Sequence, residues 1–255
     1  MNGDGRSTVG SAGCGRVLEQ KTKSPVVRCL PAIVAVPLGT TTAFIVRDRS
    51  VLLVDTGNPG DEVAILAAMK QAGIGCDEVS LILVTHGHPE NYGSADALRE
   101  PIGAPVAVHE ADAAAVRPGV GAPRFPVRVV PGLIRLAHER RIVSGSRGVE
   151  PDILIGGVAD LGAFGLRGRI VPTPGHTPGS VSVLLAGGTA IVGDLLSSLF
   201  PGGRPRLPFR MDDPVAAKRS IADLLALGPE QVYAAYGGPW RSAAVLQRFG
   251  NGPRR

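Results

Sequence analysis

The sequence predicts a layered α/β fold, with short strands in sheets that are flanked by helices. Short runs rich in Val, Ile, Leu and Thr recur along the chain, separated by Gly, Asp and Ser turn residues. Segments with apolar residues at helical spacing lie between these runs. The 255 residues are 44% hydrophobic and 19% charged, a composition that can bury a substantial core.

The first part of the chain predicts three adjacent antiparallel strands and a helix. The strands are residues 32–36, 42–46 and 51–54, joined by short turns. The helix covers residues 61–72, because Val63, Leu66, Ala67 and Met69 are spaced for one helical face. Asp61 is its predicted N-cap, and Gly73 ends it.

Strands and helices continue to alternate in the rest of the chain. A helix over residues 214–227 is predicted to begin after Asp213, an N-cap residue followed by Pro at the first helical position. A second helix is predicted over residues 94–100. The remaining strands are predicted at residues 79–84, 106–109, 169–171, 182–185, 190–192 and 231–234.

The predicted domain organisation is a leader followed by one domain. Residues 1–28 are Gly-, Ser- and Lys-rich without an apolar h-region, which favours a disordered leader over a secretory signal. Residues 29–255 form the domain. Within it, residues 111–157 contain several Pro and Gly residues and a short amphipathic helix at 133–141. We interpret this insert as a lid or pocket wall; an ordinary surface excursion is the alternative.

Composition argues against several classes of protein. No run approaches the roughly 18 to 20 apolar residues of a membrane span. The three cysteines are widely spaced, which fits a reducing cytoplasm better than a disulfide framework. The net charge is +5, but the arginines are dispersed, so we expect no nucleic-acid partner. They form either a solvated surface or a basic rim that attracts a small anionic substrate.

A His-x-His turn is the main functional signal. His86 and His88 follow an apolar run at 79–84, and a strand that ends in such a turn directs both imidazoles into one volume. His176 and Asp194 lie in apolar settings downstream. Together these four residues can close one metal centre. The alternatives are buried structural histidines, and an N-cap role for Asp194. His109 is predicted to be a strand or surface residue.

Four motifs in order, followed by a last turn at residues 235–240, give the chain a family resemblance. With Asp55-Thr-Gly, His86-x-His88, His176 and Asp194, it resembles the metallo-β-lactamase superfamily over about residues 33–240. The resemblance implies a four-layer αββα sandwich with the metal site at one edge. It places the three histidines in the first metal site and Asp194 between two sites.

The sequence departs from the family pattern at the second metal site. The family pattern is His-x-His-x-Asp-His, with a last His in a later Gly-His-Gly turn. Here Glu90 and Asn91 stand in place of the Asp and the His that follows it, and Tyr236 stands in place of the last His. Asn and neutral Tyr are poor ligands for a transition metal. We therefore expect one metal ion. Asp55 and Asn91 are predicted to support the histidine loop from behind the ligands.

The predicted chemistry is metal-assisted attack by water on a carbonyl or phosphoryl centre. Three imidazoles, one carboxylate and an open position suit Zn²⁺. Glu90 is the candidate proton acceptor, and Asp194 binds the metal or holds the water. Tyr236 is placed to donate a hydrogen bond to the leaving group or the oxyanion. Alternatively, Glu90 is a solvated loop carboxylate and Tyr236 a packing residue.

Three functions fit these residues. The first is a mononuclear zinc hydrolase of a small-molecule ester, thioester or lactone. The second is a mononuclear Fe²⁺ oxygenase or another non-hydrolytic metal enzyme on the same fold. The third is a binding protein that has lost turnover through its altered second site.

Overall fold

The computed structural model describes residues 30–39, 41–117, 147–200 and 202–250. The predicted leader, residues 1–28, lies outside these ranges. So do the middle of the predicted insert and its helix at 133–141. These two proposals therefore stay predictions.

The first sheet contains six strands, whose spatial order is the order of the chain. β1 pairs with β2 and β2 with β3 in antiparallel fashion, whereas the pairs from β3 to β6 are parallel. The strands are β1 (Ala32–Pro37), β2 (Thr42–Arg47), β3 (Val51–Val54), β4 (Val79–Leu83), β5 (Val106–His109) and β6 (Ile153–Ile155). Between them lie α1 (Glu62–Gln71), α2 (Pro89–Tyr92), α3 (Ala95–Ile102) and α4 (Ala113–Val116).

The second sheet also contains six strands, again with chain neighbours side by side. It is antiparallel except where β10 pairs with β11, after a crossover through a helix. Its strands are β7 (Ala159–Asp160), β8 (Gly168–Pro172), β9 (Val181–Leu185), β10 (Thr189–Ile191), β11 (Gln231–Tyr233) and β12 (Trp240–Arg241). The crossover helix is α5 (Pro214–Ala226), and α6 (Ser242–Phe249) follows β12.

Alternating side chains build the layers. In β2, Phe44 and Val46 point toward the second sheet, whereas Ala43 and Ile45 pack on the other face, against the helix layer. α5 buries Ala217, Ile221 and Leu224 against the outer face of the second sheet. The result is helices, sheet, sheet, helices, which confirms the expected αββα sandwich.

Most predicted elements are present with ends shifted by one or two residues. Asp213 caps α5 as predicted, because its side chain accepts hydrogen bonds from the Val215 and Ala216 amides. Asp61 precedes α1, but its carboxylate does not cap that helix and accepts instead from the Asn58 amide at 2.7 Å. Among the described residues, no helix has the length and apolarity to cross a membrane.

Candidate metal centre

The candidate site lies at one edge of the sandwich, where strands of both sheets end. β3 leads into Asp55, β4 into Thr85 and His86, and β10 into Asp194. The Val181 amide of β9 donates to the Thr85 carbonyl at 2.9 Å and joins the sheets at this edge. The loop between β8 and β9 therefore brings its own histidine, His176, to the same point.

The three predicted histidines converge. The potential ligand atoms of His86, His88 and His176 lie within 4.8 Å of one another, and all three side chains are buried. Their rings are mutually near-perpendicular, at 83° to 89°, with centroids 4.6 to 4.8 Å apart. Tetrahedral zinc with bonds of about 2.1 Å places its nitrogen ligands roughly 3.4 Å apart. The histidine nitrogens thus lie near the spacing that such an ion requires.

Hydrogen bonds behind two of the rings fix which nitrogen faces the centre. His176 Nδ1 donates to the carbonyl oxygen of Arg210 at 2.9 Å, which leaves the Nε2 lone pair free. Thr85 Oγ1 donates its one proton to Asp55 at 2.8 Å, so it accepts from His86 Nδ1 at 3.1 Å. His86 Nε2 then also presents a lone pair.

Burial keeps the histidines neutral, as metal ligands must be. Burial, followed by the influence of neighbouring histidines, lowers the pKa of His86 well below its usual value. The same causes lower the pKa of His88 to about 2. Burial is also the main cause that lowers the pKa of His176 to about 4. His176 Nε2 lies 3.0 Å from His88 Nδ1, a separation at which two lone pairs require a proton or a cation between them.

Asp194 completes the cluster. Its Oδ2 lies 3.5 Å from His176 Nε2 and 3.9 Å from His86 Nε2, and its buried Oδ1 has no hydrogen-bond partner within the described residues. Burial, and then the charges of Glu90 and Asp55, raise the pKa of Asp194 well above its usual value. A cation here would favour the carboxylate. The donor set therefore fits a metal ion.

The alternative role of Asp194 as a helix N-cap is wrong. The residue lies inside a short 3₁₀ turn (Gly193–Leu195), and Val192 occupies the N-cap position. Gly193 has a φ of +50°, and a Cβ at this residue would lie 2.6 Å from Thr85 Oγ1. Glycine is thus required for Asp194 to approach the histidine turn closely.

Asp55 is hydrogen-bonded to the start of the histidine turn. Its Oδ1 accepts from the Thr85 amide and its Oδ2 from the Thr85 hydroxyl, both at 2.8 Å. Burial raises the pKa of Asp55 to about 7 against the opposing effect of these two bonds. Asp55 has a φ of +60°, a strained conformation for a residue with a side chain. The chain holds this strain where it orients a ligand.

The altered side of the site contains Glu90, Asn91 and Tyr236. Asn91 Nδ2 lies 3.1 Å from His86 Nε2, so metal binding must displace this contact. Burial, and then the charges of Asp194 and Glu90, raise the pKa of Tyr236 far above its usual value, and its phenol keeps its proton. Glu90 Oε1 lies 3.7 Å from a guanidinium nitrogen of Arg210.

Sequence reasoning missed Arg210 and Asp112. Asp112 accepts from the Gly87 amide at 2.7 Å, the Thr177 hydroxyl at 2.6 Å and the Gly179 amide at 2.9 Å. It therefore ties the His86–His88 turn to the His176 loop. Neither residue belongs to a spaced motif, and both contacts form only after the two sheets pack.

Other titratable groups lie away from the histidines. His109 ends β5 and accepts from the Ala111 amide at 3.2 Å, consistent with the structural role predicted for it. Arg117, from the start of the insert, pairs with Glu150 at 2.9 Å in an exposed contact. Of the insert's remaining arginines only Arg147, an exposed residue, falls within the described ranges.

Comparison with known protein sequences gives one family. The model of the metallo-beta-lactamase superfamily matches residues 35–237. A hydroxyacylglutathione hydrolase of Anaeromyxobacter dehalogenans is 31% identical over 139 residues, which cover 54% of this chain and 40% of that protein. Metallo-beta-lactamase domain-containing protein 1 of Rattus norvegicus is 28% identical over 208 residues, 80% of this chain and 68% of the rat protein. The chain spans only 58% and 40% of the length of the first two curated relatives.

Solved structures share the fold. The crystal structure of BLEG-1 B3 metallo-beta-lactamase superposes with a TM-score of 0.63 at 23% sequence identity. The match covers 86% of this chain and 98% of that one. At this identity the likeness establishes the sandwich and leaves the reaction open.

Proposed function

The chain belongs to the metallo-beta-lactamase superfamily, and we propose that it is a hydrolase of a small-molecule ester, thioester or lactone that uses one zinc ion. The convergence of His86, His88 and His176 beside the buried Asp194 carries this proposal. Zinc held by these residues would supply a Lewis acid, which would lower the pKa of a water molecule to about 7. The relative named hydroxyacylglutathione hydrolase favours a thioester among the three substrate types.

The remaining polar residues have separate roles in the proposed reaction. Asp194 completes the ligand set or holds the attacking water through its unpaired Oδ1. Glu90 accepts the proton of that water; its side chain is 14% exposed, so it reaches both the site and solvent. Tyr236 keeps its phenol proton and donates a hydrogen bond to the leaving group or the developing oxyanion.

Elemental analysis of protein purified without added metal is the first test. We expect about one zinc per chain, with hydrolysis of 4-nitrophenyl acetate, S-lactoylglutathione or γ-butyrolactone at neutral pH. Activity should vanish on dialysis against a chelator and return with zinc. Full activity after exhaustive metal removal would refute the proposal.

The same experiment identifies the other two functions. Three neutral histidines with a carboxylate also satisfy a non-haem iron centre. Iron in the purified protein, together with oxygen consumption on a thiol-derived substrate, would establish the oxygenase. Protein that contains no metal, and whose melting temperature zinc does not raise, would be the binding protein.

A further inference from the structure

An open groove runs along the solvent-exposed side of α5. Its volume is about 1760 Å³, and its walls are α5, the end of α6 and the segment at 199–207. None of the three histidines lines it, and neither does Asp194. What binds in this groove is therefore a question separate from the metal centre.

The α5 wall of the groove is one face of the helix. Val215, Ala222 and Leu225 lie at i, i+7 and i+10 on this face, and the other face packs on the second sheet. From Val215 to Ala226 the wall is about 16 Å long, at 1.5 Å per residue. Ala222 and Ala226 are small, so a second helix can approach α5 closely here.

Large apolar side chains of the groove are exposed to solvent. Leu199, Phe200, Val215 and Leu246 line it from all three walls, and each is 55% to 71% exposed. A cluster of exposed apolar side chains around one groove indicates a surface that binds a partner.

The charged side chains of the groove are all basic, namely Arg204, Arg206, Lys218, Arg219 and Arg248. No Asp or Glu is among the lining residues. In the part of the chain that the structure describes, none of these five cations forms an ion pair. A ligand that complements the groove therefore carries negative charge as well as an apolar surface.

The three longer segments outside the described ranges do not meet that requirement. Residues 1–29 contain five basic and two acidic residues, and residues 118–146 contain five basic and one acidic residue. Residues 251–255 contain two arginines and no acidic residue. Because each segment has a net positive charge, the groove repels all three.

We propose that the groove binds an acidic amphipathic helix of a partner protein. Its volume exceeds the roughly 300–1,000 Å³ of sites for small molecules. Its length of about 16 Å matches three turns of helix. The apolar face of the bound helix packs on Ala222, Leu225 and Leu246, and its carboxylates pair with Lys218 and Arg219.

Two synthetic peptides of about 16 residues test the proposal on the full chain. Both carry Leu at i, i+3, i+4 and i+7 spacing; the polar positions are Glu and Gln in one, and Lys and Gln in the other. Fluorescence anisotropy of labelled peptides gives the dissociation constants. We expect the Glu peptide to bind at least about 10-fold more tightly than the Lys peptide, and salt to weaken its binding.

Charge reversal in the groove should weaken binding of the Glu peptide. We expect K218E/R219E to lower its affinity by about 10-fold or more. The control is K70E/R169E, which changes the net charge equally at two exposed residues outside the groove and should bind nearly as wild type does. V215S/L246S should lower the affinity for the same peptide by removing apolar contact area. Circular dichroism measures the folding of each variant.

Equal affinities of K218E/R219E and K70E/R169E for the Glu peptide would overturn the proposal. So would the absence of binding by wild-type protein at millimolar peptide. Phosphatidylglycerol vesicles that bind the chain, where the Glu peptide does not, would assign the groove to a lipid surface instead. Self-association that V215S/L246S abolishes would assign it to a second copy of the chain. Zinc content is expected to be the same in all variants.

Discussion

The two halves of the candidate centre are built differently. In the histidine half, two of the three rings are oriented by hydrogen bonds behind them, and the ligand atoms point at one volume. In the other half, Glu90 faces Arg210, and Asn91 contacts a nitrogen of His86. The histidine half is organised to bind a cation, whereas the other half already contains a positive charge, the guanidinium of Arg210.

This difference explains how one half of a two-metal pattern can change without loss of the other. The supports of the histidines are Asp55, Thr85, Asp112 and the Arg210 carbonyl, and the side chains at positions 90 and 236 take part in none of these hydrogen bonds. A change at those two positions leaves the first site intact. The electrostatic demand for positive charge near Asp194 is met partly by Arg210.

Removing a histidine ligand should have the largest effect. We expect His88→Ala to weaken zinc binding by more than about 100-fold and to abolish hydrolysis, because losing a ligand exceeds the 10–100-fold cost of losing a supporting residue. Zinc titration and circular dichroism measure affinity and folding. His109→Ala, outside the cluster, is the control. Wild-type zinc affinity in His88→Ala would show that the histidines are not the metal site.

Rebuilding the second half should change the metal stoichiometry. We expect one zinc in wild type, one in the E90D/N91H/Y236H variant, and two once R210M is added. The triple variant restores good ligands, but the guanidinium still repels a second ion until it is removed. Elemental analysis of the three proteins measures the ratio. Two zinc ions in wild type would contradict the proposed difference between the halves.

Loss of Asp112 should loosen the histidine half with the second half unchanged. Asp112→Asn replaces an acceptor oxygen by a donor, so at least one of its three buried partners loses its hydrogen bond. We expect zinc affinity to fall by about 10- to 100-fold. Stability should fall by roughly 1–3 kcal/mol.

The matched control for this prediction is Asp152→Asn. Asp152 also accepts from a backbone amide, that of Val106 at 2.8 Å, but it lies with Arg99 away from the histidines. Denaturant unfolding should show a loss of stability in both variants, and zinc titration a loss of affinity in Asp112→Asn alone. Equal zinc affinities would mean that Asp112 does not position the ligands.

Local sequence patterns predicted much of the fold. The β-rich run Thr42-Ala-Phe-Ile-Val46 predicted a strand, and Asp213-Pro predicted where α5 begins. β7 and β12 were missed because they have only two residues each, too few for a period to be read. α6 was missed as well, although Val245 is buried within it.

The candidate site divides in the same way. The histidines follow strands or lie in Pro-Gly turns, and these local features could be read directly. The Arg210 carbonyl accepts a hydrogen bond from His176, which lies 34 residues earlier. Asp112 accepts one from Thr177, which lies 65 residues later. Such contacts depend on how the two sheets pack, so no local pattern reveals them. Asp112 supports the two histidine loops, and Arg210 adds a positive charge beside them.

The smallest expected effect concerns a contact between the sheets, far from both halves. Arg167, just before β8, donates to Asp48, just after β2, at 2.7 to 3.2 Å. Side-chain hydrogen bonds from Arg167 hold the pKa of Asp48 below 3.8, its usual value, although burial opposes them. A carboxyl whose pKa is lower in the folded state than in the unfolded chain contributes its full stabilisation to the fold when the pH is above its unfolded pKa. That contribution is lost as pH falls through the folded pKa.

Arg167→Met should therefore cost about 1 kcal/mol at pH 7, a value reduced for solvent screening of the arginine. The cost should shrink as pH falls below about 4. Denaturant unfolding across this range measures it, with zinc binding unchanged. Arg47→Met is the control, because its pair with Glu78 is well exposed and should contribute less. Equal costs for the two variants, or a cost independent of pH, would show that the Asp48 pair does not join the sheets energetically.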